Sequence, residues 1–173
     1  MVLYPPGAVS AVIRISKMTD YATVLLAALA RVPAGSLQTT AELAEHTRIA
    51  LPTVSKVLKS LQRAGLVRSA RGLRGGYALA RAADEISAAA ILDALEGPVA
   101  VTDCSVGRGH CEIENTCGVG RAWQRVNTAL RRSLHDVSLA QLAGLDNAEL
   151  RLGALERELR PTPGGRAAAA LIR

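Results

Sequence analysis

Cys104, Cys111 and Cys117 are the only cysteines of the 173-residue chain, and they fall within fourteen positions of one another. The segment reads DCSVGRGHCEIENTCGVG, with six and then five residues between successive thiols. Three thiolates on a glycine-containing loop can converge on a soft metal centre. A lone zinc ion is usually held through at least one closely spaced cysteine pair, which this segment lacks. An iron–sulfur cluster is wider and accepts longer loops between its ligands. The spacing therefore favours an iron–sulfur cluster; a zinc site and a set of free, redox-active thiols are the other readings. A cluster needs a further protein ligand. His110, Glu112, Glu114 and Asp103 lie in the segment, Asp20 lies far upstream, and spacing does not choose among them.

A second chemistry is carried by Ala50 to Arg81, which holds seven Lys and Arg and no Asp or Glu. Its first half has helical spacing: Val54, Val57, Leu58 and Leu61 form an inward stripe. Pro52 suits the first helical position, where no N–H is needed. Lys56, Lys59, Ser60 and Arg63 fall on the other side, with Thr53 and Ser55 near the start. Gly65 ends the helix. The second half reads as a hairpin, with Leu66-Val67 and Tyr77-Ala78-Leu79 as short strands and Arg71 to Gly76 as the turn. A cationic, hydroxyl-bearing helix followed by such a hairpin is the pattern of a winged helix-turn-helix. The helix has the width of the major groove of double-stranded DNA. Glycines such as Gly75 let the wing backbone approach a phosphate, and Arg71 or Arg74 can enter a narrow minor groove. The competing reading is a solvated basic face on an ordinary helical domain.

The whole chain agrees with this division of labour. Net charge is +6, which points to a polyanionic partner. From Arg14 to Arg81 eleven Lys and Arg stand against three acids, so the remainder is slightly acidic. Aromatic residues make up 2% of the chain, too few for the stacking platforms of single-strand and RNA binders. No apolar run is long enough to span a membrane. The start, MVLYPPGAVSAVIR, has no basic opening and no clean apolar core, so no signal peptide is read. An odd, crowded cysteine set is a poor disulfide framework. A cytoplasmic protein is expected. No nucleotide-cradling glycine loop and no nucleophile–base pair stand out, so no enzyme and no small-molecule substrate are expected.

The remaining elements must place these two chemistries. A first helix is expected over about Thr19 to Arg31, capped by Thr19, with Asp20 favourable to its dipole. Tyr21, Val24, Leu25, Ala28 and Leu29 form its apolar side. Thr39-Thr40-Ala41-Glu42 is a capping box that opens a second helix. Ser87 to Glu96 is a short alanine-rich helix stopped at Gly97-Pro98. Val99 to Gly120 is a loop. Arg121 to about Asp136 is a long helix holding Trp123, Val126, Ala129, Leu130 and Leu134, spaced to pack against a partner. A short helix follows from Ser138 to Leu142, and residues 148–160 offer a last amphipathic turn or two. The fold class is mainly α, with a two-stranded wing.

These residues together resemble the iron–sulfur-sensing winged-helix regulators of the IscR and NsrR type. The resemblance covers Arg14 to Leu145. It rests on RISKMTDYATVLL, on LPTVSKVLKSLQRAGLVRSARGLRGGYALA, and on the three-cysteine loop ahead of a Trp-bearing helix. The opening RISKMTDYA is most like the branch that regulates the Suf iron–sulfur assembly operon. The resemblance implies a homodimer joined through the long helix around Trp123, Val126 and Leu130. It implies a [2Fe–2S] or [4Fe–4S] cluster on Cys104, Cys111 and Cys117, near the partner's DNA-binding domain. In the IscR type a histidine three residues after the last cysteine completes the site; here that position is Gly120. In the NsrR type an aspartate of the partner's first helix is the further ligand, and Asp20 matches it; its plainer role is to compensate the helix dipole. The chain then divides into a flexible leader (1–13), a winged helix-turn-helix domain (14–82), a connecting helix (83–98), a cluster-binding loop (99–120), a dimerisation region (121–145) and a largely disordered tail (146–173).

Overall fold

The computed structural model describes residues 15–72, 75–107, 109–113 and 116–146. The leader, Arg74, Glu114 and the amphipathic segment at 148–160 lie outside the described residues. The order is α1 (Lys17–Ala30), α2 (Thr40–Thr47), α3 (Leu51–Arg63), β1 (Val67–Ala70), β2 (Gly76–Leu79), α4 (Ala88–Glu96), α5 (Asp103–Val106), α6 (Gly120–Asp136) and α7 (Leu139–Leu142). A short 3-10 turn, Ala83–Glu85, precedes α4.

The first helix is the centre of the fold rather than one wall of it. It packs on α2, α3, α4, α7 and β2. Ala22, Leu25, Leu26, Ala28 and Leu29 are all in the core cluster. A one-sided stripe was the wrong pattern for it: Val24 is 40% exposed, while Leu26, off that stripe, is fully buried. Its cap is also displaced. Ser16, not Thr19, accepts the Thr19 N–H through its hydroxyl, and Thr19 lies buried in the first turn.

Helices α2 and α3 follow the sequence closely. Thr39 and Glu42 close the capping box in both directions. Between the helices, Arg48 adopts a left-handed conformation (φ 59°) that turns the chain sharply. Leu51 is the first residue of α3, so Pro52 stands one position further in. At its far end the Leu66 N–H bonds the Leu61 carbonyl and the Gly65 N–H the Gln62 carbonyl. That is a full Schellman closure, with Gly65 at φ +70°.

The wing is longer on the β1 side than the apolar pattern foretold. Arg68, Ser69 and Ala70 pair with Ala78, Tyr77 and Gly76. They are exposed, so their polarity hid the strand. The hairpin is pinned to the α1–α2 connection by two backbone bonds between Gln38 and Tyr77, at 2.8 and 2.9 Å. Downstream, Ala88 N bonds Val137 O and Leu139 N bonds Ile86 O, so the start of α4 is laced to the α6–α7 junction. An ion pair between Arg131 and Asp93 joins α6 to α4 at 3.1 Å. The cysteine segment is not wholly a loop: α5 forms one turn in it and carries Cys104.

Candidate functional site

The outer face of α3 is built by its inner one. Val54, Val57, Leu58 and Leu61 are fully buried, which turns Lys56, Lys59, Gln62 and Arg63 outward. Thr53, Ser55 and Ser60 are half-buried at its flanks. Arg63 folds back along its own helix, donating to the Ser60 hydroxyl at 3.2 Å and to the Lys59 carbonyl. The wing then closes on the helix. Gln62 Nε2 donates to Ser69 Oγ at 2.8 Å, a contact the sequence reading missed because it pairs a helix residue with a strand residue across a turn.

Between helix and wing lies a polar groove of about 520 Å³. Lys59, Gln62, Arg71, Gly75 and Thr40 line it. The structure therefore brings Lys59, Arg71 and Gly75 to one place, and adds Gln62 and the hydroxyl-bearing start of α2. A cleft with two cations, hydroxyls and amides, and no acid on the wing, suits a phosphate of a nucleic-acid backbone. Gly76 fixes the wing's position. A Cβ there would stand 2.7 Å from the Gln38 carbonyl oxygen and 2.8 Å from its carbon.

The three cysteines are free and each is half-buried. The segment carrying them is fastened to α6. Val101 N donates to Asn127 Oδ1 at 3.1 Å, with Asn127 itself buried, and Gln124 Nε2 reaches the Cys104 carbonyl. Thr102 Oγ1 lies 3.2 Å from the Cys104 thiol. A Cβ at position 120 would stand 3.8 Å from Cys117 Sγ, so a side chain there would reach that thiol, and Gly120 supplies none. Among the described residues, no three His, Cys, Asp or Glu side chains gather as a ready metal site. The donor chemistry of the segment, three thiols with His110, Glu112 and Asp103 beside them, fits an iron–sulfur cluster. Asp20 is exposed in the first turn of α1 and lines a largely apolar groove of about 540 Å³ between α1, α4, α6 and α7, a groove that none of the cysteines lines. On α6, Trp123 is 43% exposed, whereas Val126 and Leu130 are half-buried and Ala129 is sealed inside.

One carboxylate links the two regions. Glu96, at the end of α4, accepts from the Thr19 hydroxyl and from Ser16 N at 3.0 Å. These two hydrogen bonds, the Thr19 one foremost, hold its carboxyl below the usual glutamate range. The next residue, Gly97 (φ +83°), turns the chain into the cysteine segment. The start of α1, beside Asp20, is thus tied to the root of that segment.

A winged helix with this cationic reading face is a DNA-binding architecture. The chain belongs to the Rrf2 family, described as iron-dependent transcriptional regulators, whose model matches residues 15–144. A helix-turn-helix-type transcriptional regulator of Mycobacterium tuberculosis is 34% identical over 133 residues, 76% of this chain and 81% of that protein. The regulator IscR of Erwinia tasmaniensis is 31% identical over 129 residues, 73% of this chain and 76% of that one. Among solved structures, Staphylococcus aureus CymR in its oxidized form is similar, with a TM-score of 0.56 and 30% identity over 76% of this chain and 96% of that one. The protein is therefore a transcriptional regulator and not an enzyme. Among the described residues no helix is long and apolar enough to cross a membrane.

Proposed function

We propose that the protein is a dimeric, cytoplasmic regulator that reads double-stranded operator DNA and responds to an iron–sulfur cluster held by Cys104, Cys111 and Cys117. Iron–sulfur assembly genes are its proposed targets. Thr53, Ser55, Lys56, Lys59 and Ser60 of α3 meet the major groove, with Arg63 at its end. Arg71, Arg74 and Gly75 meet the backbone and minor groove. The dimer forms through α6, where Trp123, Val126 and Leu130 meet the partner. Asp20 of the partner's α1 completes the ligand set that Gly120 leaves short.

The observation that carries this reading is the fastening of the cysteine segment. Its backbone is tied to α6 at Val101 through Asn127 and at Cys104 through Gln124, and its root is tied to α1 through Glu96. When bound, an iron–sulfur cluster supplies a ligand whose occupancy depends on iron, oxidants and nitric oxide. Occupancy then biases the spacing of two recognition helices. Half-sites lie about one helical turn apart, so a small change of spacing alters affinity. The protein shifts between DNA-competent and incompetent shapes only by the cluster's differential affinity for the two.

Anaerobic purification with assay of iron, acid-labile sulfide and visible absorbance tests this. The proposal expects all three signals, and their loss in Ser variants at each cysteine with the helical fold intact. A colourless protein carrying neither iron nor sulfide after anaerobic reconstitution refutes it. A second reading, a regulator that binds zinc or oxidises its thiols, is favoured by the dispersed, half-exposed cysteines and by the likeness to the oxidized CymR structure. Bound zinc, or reversible thiol loss that changes DNA affinity, would mark it.

A further inference from the structure

The tip of α3 carries an apolar side chain that lies outside the core cluster and is about half exposed. Leu51 is 47% exposed at the first position of the helix, flanked by exposed Ala50 and Pro52. The hydrophobic contact that usually fixes a helix entry pairs the residue before the N-cap with the fourth helical residue. Here those are Ile49 and Val54, and both are in the core cluster. Leu51 is therefore not needed to seat the helix. It lies instead in one helical row with Ser55 and Lys59, at four-residue steps. Lys59 lines the polar groove under the wing. Leu51 thus extends the reading face at its N-terminal end, the end of a recognition helix whose residues meet base edges.

A leucine offers neither hydrogen bond nor charge to DNA. The apolar feature on the floor of the major groove is the C5-methyl of thymine. We propose that Leu51 is a specificity-determining residue that packs on a thymine methyl in each half-site. Ser55, one turn further in, supplies a hydrogen bond to a neighbouring base edge, and Lys59 supplies charge. This inference rests on the DNA-reading role of α3 proposed above.

The test uses duplexes selected from a randomised pool by the full-length wild-type protein. Each thymine of a selected duplex is replaced singly by uracil, which removes the methyl and keeps the pairing. Affinities are read by fluorescence anisotropy. The expected result is one thymine per half-site whose replacement weakens wild-type binding about 4-fold, the worth of one apolar carbon group removed from water. Leu51→Ala should bind the thymine and uracil duplexes alike, with an unchanged salt slope, because leucine displaces no counterion. Leu51→Met should keep the preference for thymine, and circular dichroism should show both variants folded. Wild-type protein indifferent to every thymine methyl, or a Leu51→Ala protein that keeps the preference, overturns the inference while leaving α3 as the DNA-reading helix. Failure to select any duplex overturns both.

Discussion

Gly76→Ala is the sharpest perturbation of the reading head. The added Cβ would lie 2.7 to 3.1 Å from the oxygen, carbon and nitrogen of Gln38, all backbone atoms that cannot swing aside. If the wing lifts to make room, the two Gln38–Tyr77 backbone bonds at 2.8 and 2.9 Å are lost. At about 0.5–1.5 kcal/mol net for each bond, that costs about 1–3 kcal/mol. If the wing stays, the overlap is absorbed as packing strain, again about 1–3 kcal/mol. Either route should lower the melting temperature by about 2 to 12 °C at roughly 2–4 °C per kcal/mol for a chain of this size. DNA affinity should fall with it, because Arg71 is then displaced from Lys59 across the groove. Gly118→Ala is the control, since a Cβ there meets no atom within 4 Å. It should change stability by less than about 0.5 kcal/mol. Thermal unfolding followed by circular dichroism reads both variants. A Gly76→Ala protein that melts with wild type and with the Gly118→Ala control would refute the docking of the wing.

Three further outcomes follow from the same geometry. Lys59→Ala and Arg71→Ala should each weaken all DNA sequences alike and reduce the salt slope by about 0.9, one released counterion apiece; an unchanged slope in both removes the groove from the interface. The lowered pKa of Glu96 means its hydrogen bonds stabilise the fold fully above the ordinary glutamate value of 4.5 and lose that contribution as pH falls through the lower folded value. Glu96→Gln should therefore flatten the acid limb of a plot of urea midpoint against pH, and an acid limb as steep as wild type's would discount the link (Glu42, shifted the same way by Thr39, remains in both). Trp123→Ala should leave the monomer's helical signal intact, because the ring is 43% exposed there. In sedimentation it should weaken the dimer by about 2 kcal/mol or more, the cost of truncating an interface hot spot; an unaltered dimer excludes Trp123 from the contact.

Much of the reading head was legible because it is local. The stripe of α3, the Thr39–Glu42 box and the Gly65 stop all depend on residues within a few positions of one another. The core of α1 was not, because a helix surrounded by other elements loses the one-sided stripe that pattern reading looks for. Thr19 was misassigned for a related reason: its partner, Glu96, is 77 residues away and nothing local marks it. The Gln38–Tyr77 bridge and the Gln62–Ser69 contact are likewise tertiary. The cysteine segment stood out by composition alone, with all three thiols of the chain inside fourteen positions. Composition could not show that Asn127 and Gln124 fasten it to α6, since both read as ordinary polar residues of a long helix.

The most direct test of the account is the DNA affinity of holo and apo protein at one fixed salt concentration, on the chain's own upstream region, for wild type and Asp20→Ala. The wild-type ratio should lie between about 5- and 150-fold, the ordinary range of coupling between two sites. Asp20→Ala should bring that ratio towards one while both forms still bind DNA. Equal wild-type affinities with and without the cluster would contradict the account, and a full wild-type ratio retained by Asp20→Ala would contradict its choice of ligand.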